Sequence, residues 1–576
     1  MKTEKTKKIG KWWTCPPILL FAVVVWQSAS TAPAPSAVPD VDLPNDNCTV
    51  IIVGKDASTD GSVMTTHTAD CGSCDWTWRK VPPADHKPGE TRRIYHISQM
   101  RTWPPKEGLK WDLIQKNFTG LELPQPPHTY GYMHGVFGYM NDQQLAMGES
   151  TIGNVRKIGN STQAPKMDIT MLTLLAMERC RTAREAIKLM GELAEKYGYG
   201  FVDGGEMLAV ADPKEVWIFE IMPVGPLWTP ESGKPGAVWC AQRVPDDEVS
   251  VCPNESRIGE IDLSKPDFFM ASAHVVSFAV EEKLYDPVSG KPFSWKRAYS
   301  PSAGSASSSQ GRRQRLWRFY DLVAPSNKFK AETENMDFPF SVKPDRKISV
   351  QDVMAYTRDK SYGTTFDPVK GIRGGPYANP NYWAGTRKIS VANAEYTTVT
   401  QCRSEYPDIV GGIVWLAWGA QDTACYMPFY AGVSAIPKSF NVGDHWELNR
   451  ASARWAFDYT DFHAQVVYKS AIEDIKKAQQ EWEIGALTKM PEIDKQASEL
   501  YARSPAKAVD LLTRFSNENA EKVVAAWWEL GDRLLVKYNH FGFYEPEKRS
   551  RGRGQVLPDV WQKAVRMVDI WSEAIR

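Results

Sequence analysis

The sequence predicts an α+β fold, on three observations. Residues 49–53 (TVIIV) are β-branched throughout and stop at Gly54, the mark of a short buried strand. Strand texture recurs through residues 130–147, 207–221, 238–251 and 397–430, broken by turn residues. Apolar residues step at three and four positions through residues 168–197, and again in long runs from Ser452 onward.

Residues 1–11 are basic, residues 18–26 (ILLFAVVVW) are apolar, and small residues follow at Ser28, Ala29 and Ser30. This is the pattern of a secretory signal peptide over residues 1–30, with an apolar run short for a bilayer span. The expectation is export, periplasmic or secreted, with an uncleaved N-terminal membrane anchor as the alternative. Residues 31–47 form a Pro/Ala linker that reads as a propeptide. After the strand at 49–53, Asp60 and Gly61 make a hairpin turn and residues 62–66 return beside it. Residues 76–127, rich in Pro, Trp and charge, read as loops and short strands bordering a cleft. Asn141 and Asp142 turn the strands of 130–147. Asp168 caps a helix pair that breaks near Arg181 and Thr182 and ends at Gly198. Residues 207–221 and 238–251 each read as a hairpin. Residues 262–351 are linker-like at their centre, and the basic run 312–318 (RRQRLWR) reads as a solvated helix start. Ser349 opens a short helix. Residues 412–418 are apolar on both faces, which suits a central strand. The helical runs of 452–576 read as an extension packed on the core formed by 48–451.

A chain of 576 residues can bury a large core. Zero net charge with 24% charged residues gives no electrostatic case for nucleic acid or an anionic membrane. The 22 tryptophans are read as packing residues. Of nine cysteines, Cys15 leaves with the leader. The spacing of Cys71 and Cys74 fits a local disulfide or two free thiols, and no second pair or histidine cluster completes a zinc site. Cys240 with Cys252, and Cys402 with Cys425, flank predicted strands and are candidate bridges. His86, His96, His128 and His134 lack metal-ligand spacing and read as structural. No metal or cofactor is expected.

The chemistry concentrates between Cys48 and Asp70. The hairpin brings the thiol of Cys48, His67 and the Asp70 carboxylate to one sheet edge. If the Asn47–Cys48 bond is cut, Cys48 gains an α-amino group with an ordinary pKa of about 7.7–8.0. That amine can take the thiol proton, so the nucleophile carries its own base. The bland alternative is a buried core cysteine at a strand start.

The block CTVIIVGKDASTDGS, with Asp70, resembles the dipeptidase A family of cysteine-type N-terminal-nucleophile (Ntn) hydrolases. So do MNDQQLAMGESTIGN, GEMLAVADPKEVWIFEI and AQRVPDDEVSVCPNESRIGEID, in that order. The resemblance implies a four-layer αββα sandwich over 48–451, autoproteolysis at Asn47–Cys48 through a thioester, and hydrolysis of dipeptides. It implies that Asn141 and Asn254 hold the oxyanion, that Arg257 lowers the Cys48 pKa, and that Asp70 orients the Cys48 amine. It offers Glu149 to the substrate amine. The family often carries arginine where His67 stands, so His67 is expected to hydrogen-bond the nucleophile when protonated, near pH 6.5, or to contact substrate. Short peptides are the expected partners, with a homo-oligomer left open. Within the class the alternative is an amidase of acyl-amino acids or conjugated bile acids, and outside it an exported non-catalytic binding protein.

Overall fold

The computed structural model describes residues 48–72, 74–96, 118–159, 165–200, 204–225, 228–301, 306–383, 385–552 and 557–575. The leader and linker readings of residues 1–47 lie outside them. Two antiparallel sheets dominate. The six-stranded sheet contains β1 (Val50–Val53) and β2 (Val63–Thr68). The eight-stranded sheet takes β3 (Arg79–Val81), β4 (Tyr132–His134), β5 (Gly138–Asn141), β6 (Ala146–Ile152), β7 (Gly205–Ala211), β8 (Val216–Met222) and β9 (Val238–Arg243). Strand β10 (Val249–Cys252) returns to the first sheet and β11 (Phe269–Ala271) to the second. Strands β12 (Tyr396–Cys402), β13 (Ile413–Trp418) and β14 (Met427–Tyr430) complete the first. The strand orders are β10-β1-β2-β12-β13-β14 and β11-β9-β8-β7-β6-β5-β4-β3.

The sheets meet where β2 crosses β6. A Cβ added to Gly148 would stand 2.1 Å from the carbonyl oxygen of Thr66, so only glycine allows this approach. Strands buried on both sides read as continuous apolar runs: residues of β1, β8 and β13 are all buried, as expected for strands covered twice.

Helices α1 (Ile169–Arg179) and α2 (Ala183–Tyr197) pack against the eight-stranded sheet at β5 and β7–β9. The side chain of Asp168 accepts from Met171 N, and that of Thr182 from Glu185 N, so each helix starts on a capping residue. Helix α3 (Ala306–Val323) fills the stretch read as a linker. Ser349 and Asp352 form a capping box on α4 (Val350–Thr357). Helices α5 (Ala453–Val466), α6 (Tyr468–Arg503) and α7 (Pro505–Lys537) pack on β13 and β14. Val523, Trp527, Leu530 and Leu534 give α7 its buried stripe. On α6, Asp494 accepts from Arg403 at 2.6 Å and from the Tyr430 hydroxyl at 2.7 Å, a buried polar tie to the sheet.

Two expectations are corrected. Residues 238–251 are not a hairpin: β9 pairs with β8 and β11, whereas β10 pairs with β1 in the other sheet. That separation leaves Cys240 and Cys252 free, and Cys402 and Cys425 are free as well. Cys402 faces Val63 across β2, whereas Cys425 lies before β14. Cys71 and Cys74 do form a disulfide, with Cα atoms 5.8 Å apart. No helix among the described residues is long and apolar enough to cross a membrane.

Candidate active site

Cys48 stands two residues before β1 and is 7% exposed. The paired strand β2 carries His67, fully buried, and the opposite sheet brings Glu149 on β6. A thiol, a ring nitrogen and a carboxylate oxygen from these three residues all lie within 4.8 Å of one another. His67 Nδ1 lies 2.9 Å from the Glu149 carbonyl oxygen, 3.3 Å from the Glu149 backbone N–H and 3.7 Å from the Glu149 carboxylate, and Nε2 is buried without a hydrogen-bond partner. Aromatic rings close around this imidazole: Phe137 edge-on at 5.4 Å, Tyr139 at 5.3 Å and Tyr396 at 6.1 Å. The two tyrosine hydroxyls share a hydrogen bond of 2.8 Å, and Trp78 stacks on Tyr139. In this apolar box burial pushes the His67 pKa down to about 4.

Arg315 holds the strand start from the other side. Its NH1 donates to the Cys48 carbonyl at 2.7 Å and the Thr49 hydroxyl at 2.9 Å. Its NH2 donates to the Pro253 carbonyl at 2.9 Å and Asn254 Oδ1 at 3.0 Å, and Nε reaches the Gly311 carbonyl at 3.3 Å. All five guanidinium hydrogens are thus used, which makes its full burial tolerable. Asn254 sits at φ +64°, a left-handed conformation that asparagine accepts more readily than most residues. Its N–H donates to Ser150 Oγ at 3.0 Å and its Nδ2 to the Thr151 carbonyl at 2.9 Å, leaving one amide hydrogen on Nδ2.

Asp70 reaches the start of β1 through a relay. Thr68 Oγ1 accepts from Thr49 N at 2.8 Å and donates to Asp70 Oδ2 at 3.0 Å. Arg387 donates to the same oxygen at 2.5 Å, and Gln421 to Oδ1 at 3.2 Å. Burial pushes the Asp70 carboxyl up, and the Arg387 and Arg315 charges oppose it. A cavity of about 820 Å³ lies one aromatic layer away, walled by Trp78, Lys80, Arg92, His134 and Lys438. Neither Cys48 nor His67, Asp70, Glu149, Asn254 or Arg315 lines it.

A family model, Peptidase family C69, matches residues 47–481. The chain belongs to peptidase family C69. Among curated relatives, a "Probable dipeptidase" of Latilactobacillus sakei is 25% identical over 507 residues, covering 85% of this chain and 95% of the relative. A "Probable dipeptidase" of Salmonella dublin is 28% identical over 396 residues, 67% of this chain and 81% of the relative. A "Probable dipeptidase B" of Lactococcus lactis subsp. lactis (strain IL1403) is 24% identical over 501 residues, 85% and 95% of the two chains.

On this C69 chain the expected site residues divide. Cys48, His67, Glu149 and Asn254 surround the start of β1, and Asp70 joins it through Thr68. Asn141 does not fit an oxyanion donor. Its Nδ2 donates to the Met177 and Cys180 carbonyls at 3.0 and 2.8 Å, and its Oδ1 accepts from Gln143 and Leu145. It ties the β5 turn to the end of α1. Asn141→Ala should therefore cost about 3 kcal/mol in urea unfolding, from buried groups left unpaired, with kcat of the folded fraction preserved.

Arg257 is displaced as well. Buried Glu220 captures the backbone N–H of Arg257 at 2.6 Å and of Ile258 at 3.3 Å, and the Arg257 guanidinium donates to Tyr320 and Pro339. The guanidinium that touches Cys48 is that of Arg315. The basic run had read as solvated, yet Leu316, Phe319, Tyr320 and Val323 set a buried stripe that also takes in Arg312 and Arg315. That placement of arginines on an apolar face was the available signal. Arg387 and Gln421, from loops distant in sequence, carried none.

His67 cannot act as a cation near pH 6.5, because its box keeps it neutral down to about 4. His134, buried beside Arg79 and Arg92, is pushed down to about 3. A histidine whose folded pKa lies below its unfolded value binds protons preferentially when unfolded. Its contribution is complete above about 6.5 and is lost as pH falls toward the folded value. His134→Gln should therefore shrink the stability difference between pH 7 and pH 5 by about 2 kcal/mol relative to wild type, read from urea midpoints.

Proposed function

We propose that this C69 peptidase is an exported cysteine dipeptidase whose Cys48 becomes the N-terminus by cleavage of the Asn47–Cys48 bond. The observation that carries the reading is the position of Cys48. It lies two residues before an interior strand of the six-stranded sheet, its carbonyl is fixed by Arg315, and Glu149 stands beside its thiol. Family membership and relatives named dipeptidases support the substrate class. The two stacked sheets, with helices packed against each, support an αββα Ntn-hydrolase sandwich over 48–451 with 452–576 as its helical extension. Residues 1–30 direct export and 31–47 are removed on maturation.

In this reading the Cys48 thiol loses its proton to its own α-amino group and the sulfur attacks the scissile carbonyl. The remaining Nδ2 hydrogen of Asn254 donates to the developing oxyanion. The protonated amine supplies the leaving amino group with a proton, and water then opens the thioester. Arg315 and the Thr49–Thr68–Asp70 relay keep the chain terminus in place, and the Glu149 carboxylate faces the ammonium group of the substrate. A panel of dipeptides, N-acyl amino acids and conjugated bile acids tests the substrate class. Dipeptide turnover that Cys48→Ser abolishes is expected. Turnover confined to the non-peptide amides, or none in material with an intact site, contradicts it.

A further inference from the structure

We propose that Cys48, His67 and Glu149 form a binding site for a zinc ion that switches the nucleophile off. The site deepens the catalytic reading above and rests on it for the role of the thiol, but the donors are on the page irrespective of it. A thiolate, an imidazole and a carboxylate are the ligand types zinc takes, here from Cys48 two residues before β1, His67 on β2 and Glu149 on β6, all within 4.8 Å of one another. Around a tetrahedral zinc such donors lie roughly 3.3–3.6 Å apart, so the set has to close by about an ångström to hold the ion.

Two features of His67 distinguish the site from a chance cluster. Its Nδ1 is held against Glu149, 2.9 Å from the backbone carbonyl oxygen, 3.3 Å from the backbone N–H and 3.7 Å from the carboxylate, which fixes the ring. Its other nitrogen, Nε2, is wholly buried and has no hydrogen-bond partner, a cost that a metal bond would remove. The apolar collar of Phe137, Tyr139 and Tyr396 holds the ring rigid.

Zinc displaces the thiol proton to solvent and occupies the sulfur lone pair that attacks the substrate. Once Cys48 is the chain terminus, its α-amino nitrogen adds a fourth donor in a five-membered chelate with the sulfur. The mature enzyme then holds zinc more tightly than the precursor.

The test uses the purified full-length product, metal-free, with Co²⁺ as a spectroscopic probe and Zn²⁺ as competitor. One equivalent of Co²⁺ should give a thiolate-to-cobalt charge-transfer band and the intense visible bands of a four-coordinate ion. Cys48→Ser should lose the charge-transfer band, and His67→Gln and Glu149→Gln should each weaken binding at least tenfold, near-UV circular dichroism reporting that each variant is folded. Zn²⁺ should displace cobalt and inhibit hydrolysis at the same concentration, and a chelator should restore activity. Absence of the thiolate band, or a band unchanged in Glu149→Gln, overturns the site. Should His67→Gln fail to fold, Glu149→Gln alone decides. Cobalt binding in a protein without peptidase activity would sink the catalytic reading and leave the site standing. Hydrolysis indifferent to zinc would do the reverse.

Discussion

Cys48→Ala should leave the chain uncut at Asn47–Cys48 and lower dipeptide hydrolysis by a factor on the order of 10⁴ or more. Both losses follow from one atom. The sulfur is the proposed attacker in maturation and in turnover, and among the described residues none of the other free cysteines can replace it. Cys180, Cys240, Cys252, Cys402 and Cys425 are all buried. Burial pushes the Cys180 and Cys252 thiols up to about 12, and those of Cys240, Cys402 and Cys425 upward too, which makes them inert. Alanine fills most of the small volume at position 48, so the fold should survive and the urea midpoint should move little. Intact-mass measurement and steady-state kinetics on the same sample check both parts. A cut chain, or activity within tenfold of wild type, would refute the assignment.

Arg315→Lys should be the most damaging change outside the residues that touch substrate. The lysine has three donors and no fork, so it cannot satisfy the Cys48, Thr49, Pro253 and Asn254 acceptors together. Stability should fall by about 3–5 kcal/mol, the scale of breaking a buried and fully bonded charge. The kcat should fall by about 10², because Cys48 and Asn254 lose their shared clamp and a misplacement of an ångström costs that much. Arg315 is a positioning residue, and the split between parameters tests this. A kcat loss with KM little changed is expected, since no atom of Arg315 is proposed to bind substrate. Arg257→Lys should spare kcat by comparison, because that guanidinium turns its Nη2 to Tyr320 and Pro339 and makes no hydrogen bond to Cys48 or Asn254 among the described residues.

Local chemistry explains which parts of the fold were legible. The strand at Val50–Val53, the capped helix pair after Asp168 and the apolar β13 all declare themselves in a few consecutive residues. The exchange of strands between sheets does not. Residues of β9 and β10 look like partners because a short turn separates them, yet each finds a better apolar face in a different layer. The site shows the same division. Cys48, His67 and Asp70 are close in sequence and share one hairpin. Arg315, Arg387 and Gln421 come from distant segments, and a buried arginine is written in the same letters as a solvated one. Asn141 and Arg257 were carried by resemblance alone. In this chain Asn141 completes a helix end, and Glu220 draws the backbone of Arg257 inward.

Every step of turnover proposed for Cys48 requires it to be a free chain terminus. N-terminal sequencing of the enzyme fraction that turns over dipeptides, taken together with its intact mass, addresses this directly. The first residue should be cysteine 48, with residues 1–47 absent and alkylation of that thiol ending turnover. Fully active protein that retains any residue upstream of Cys48 would contradict it.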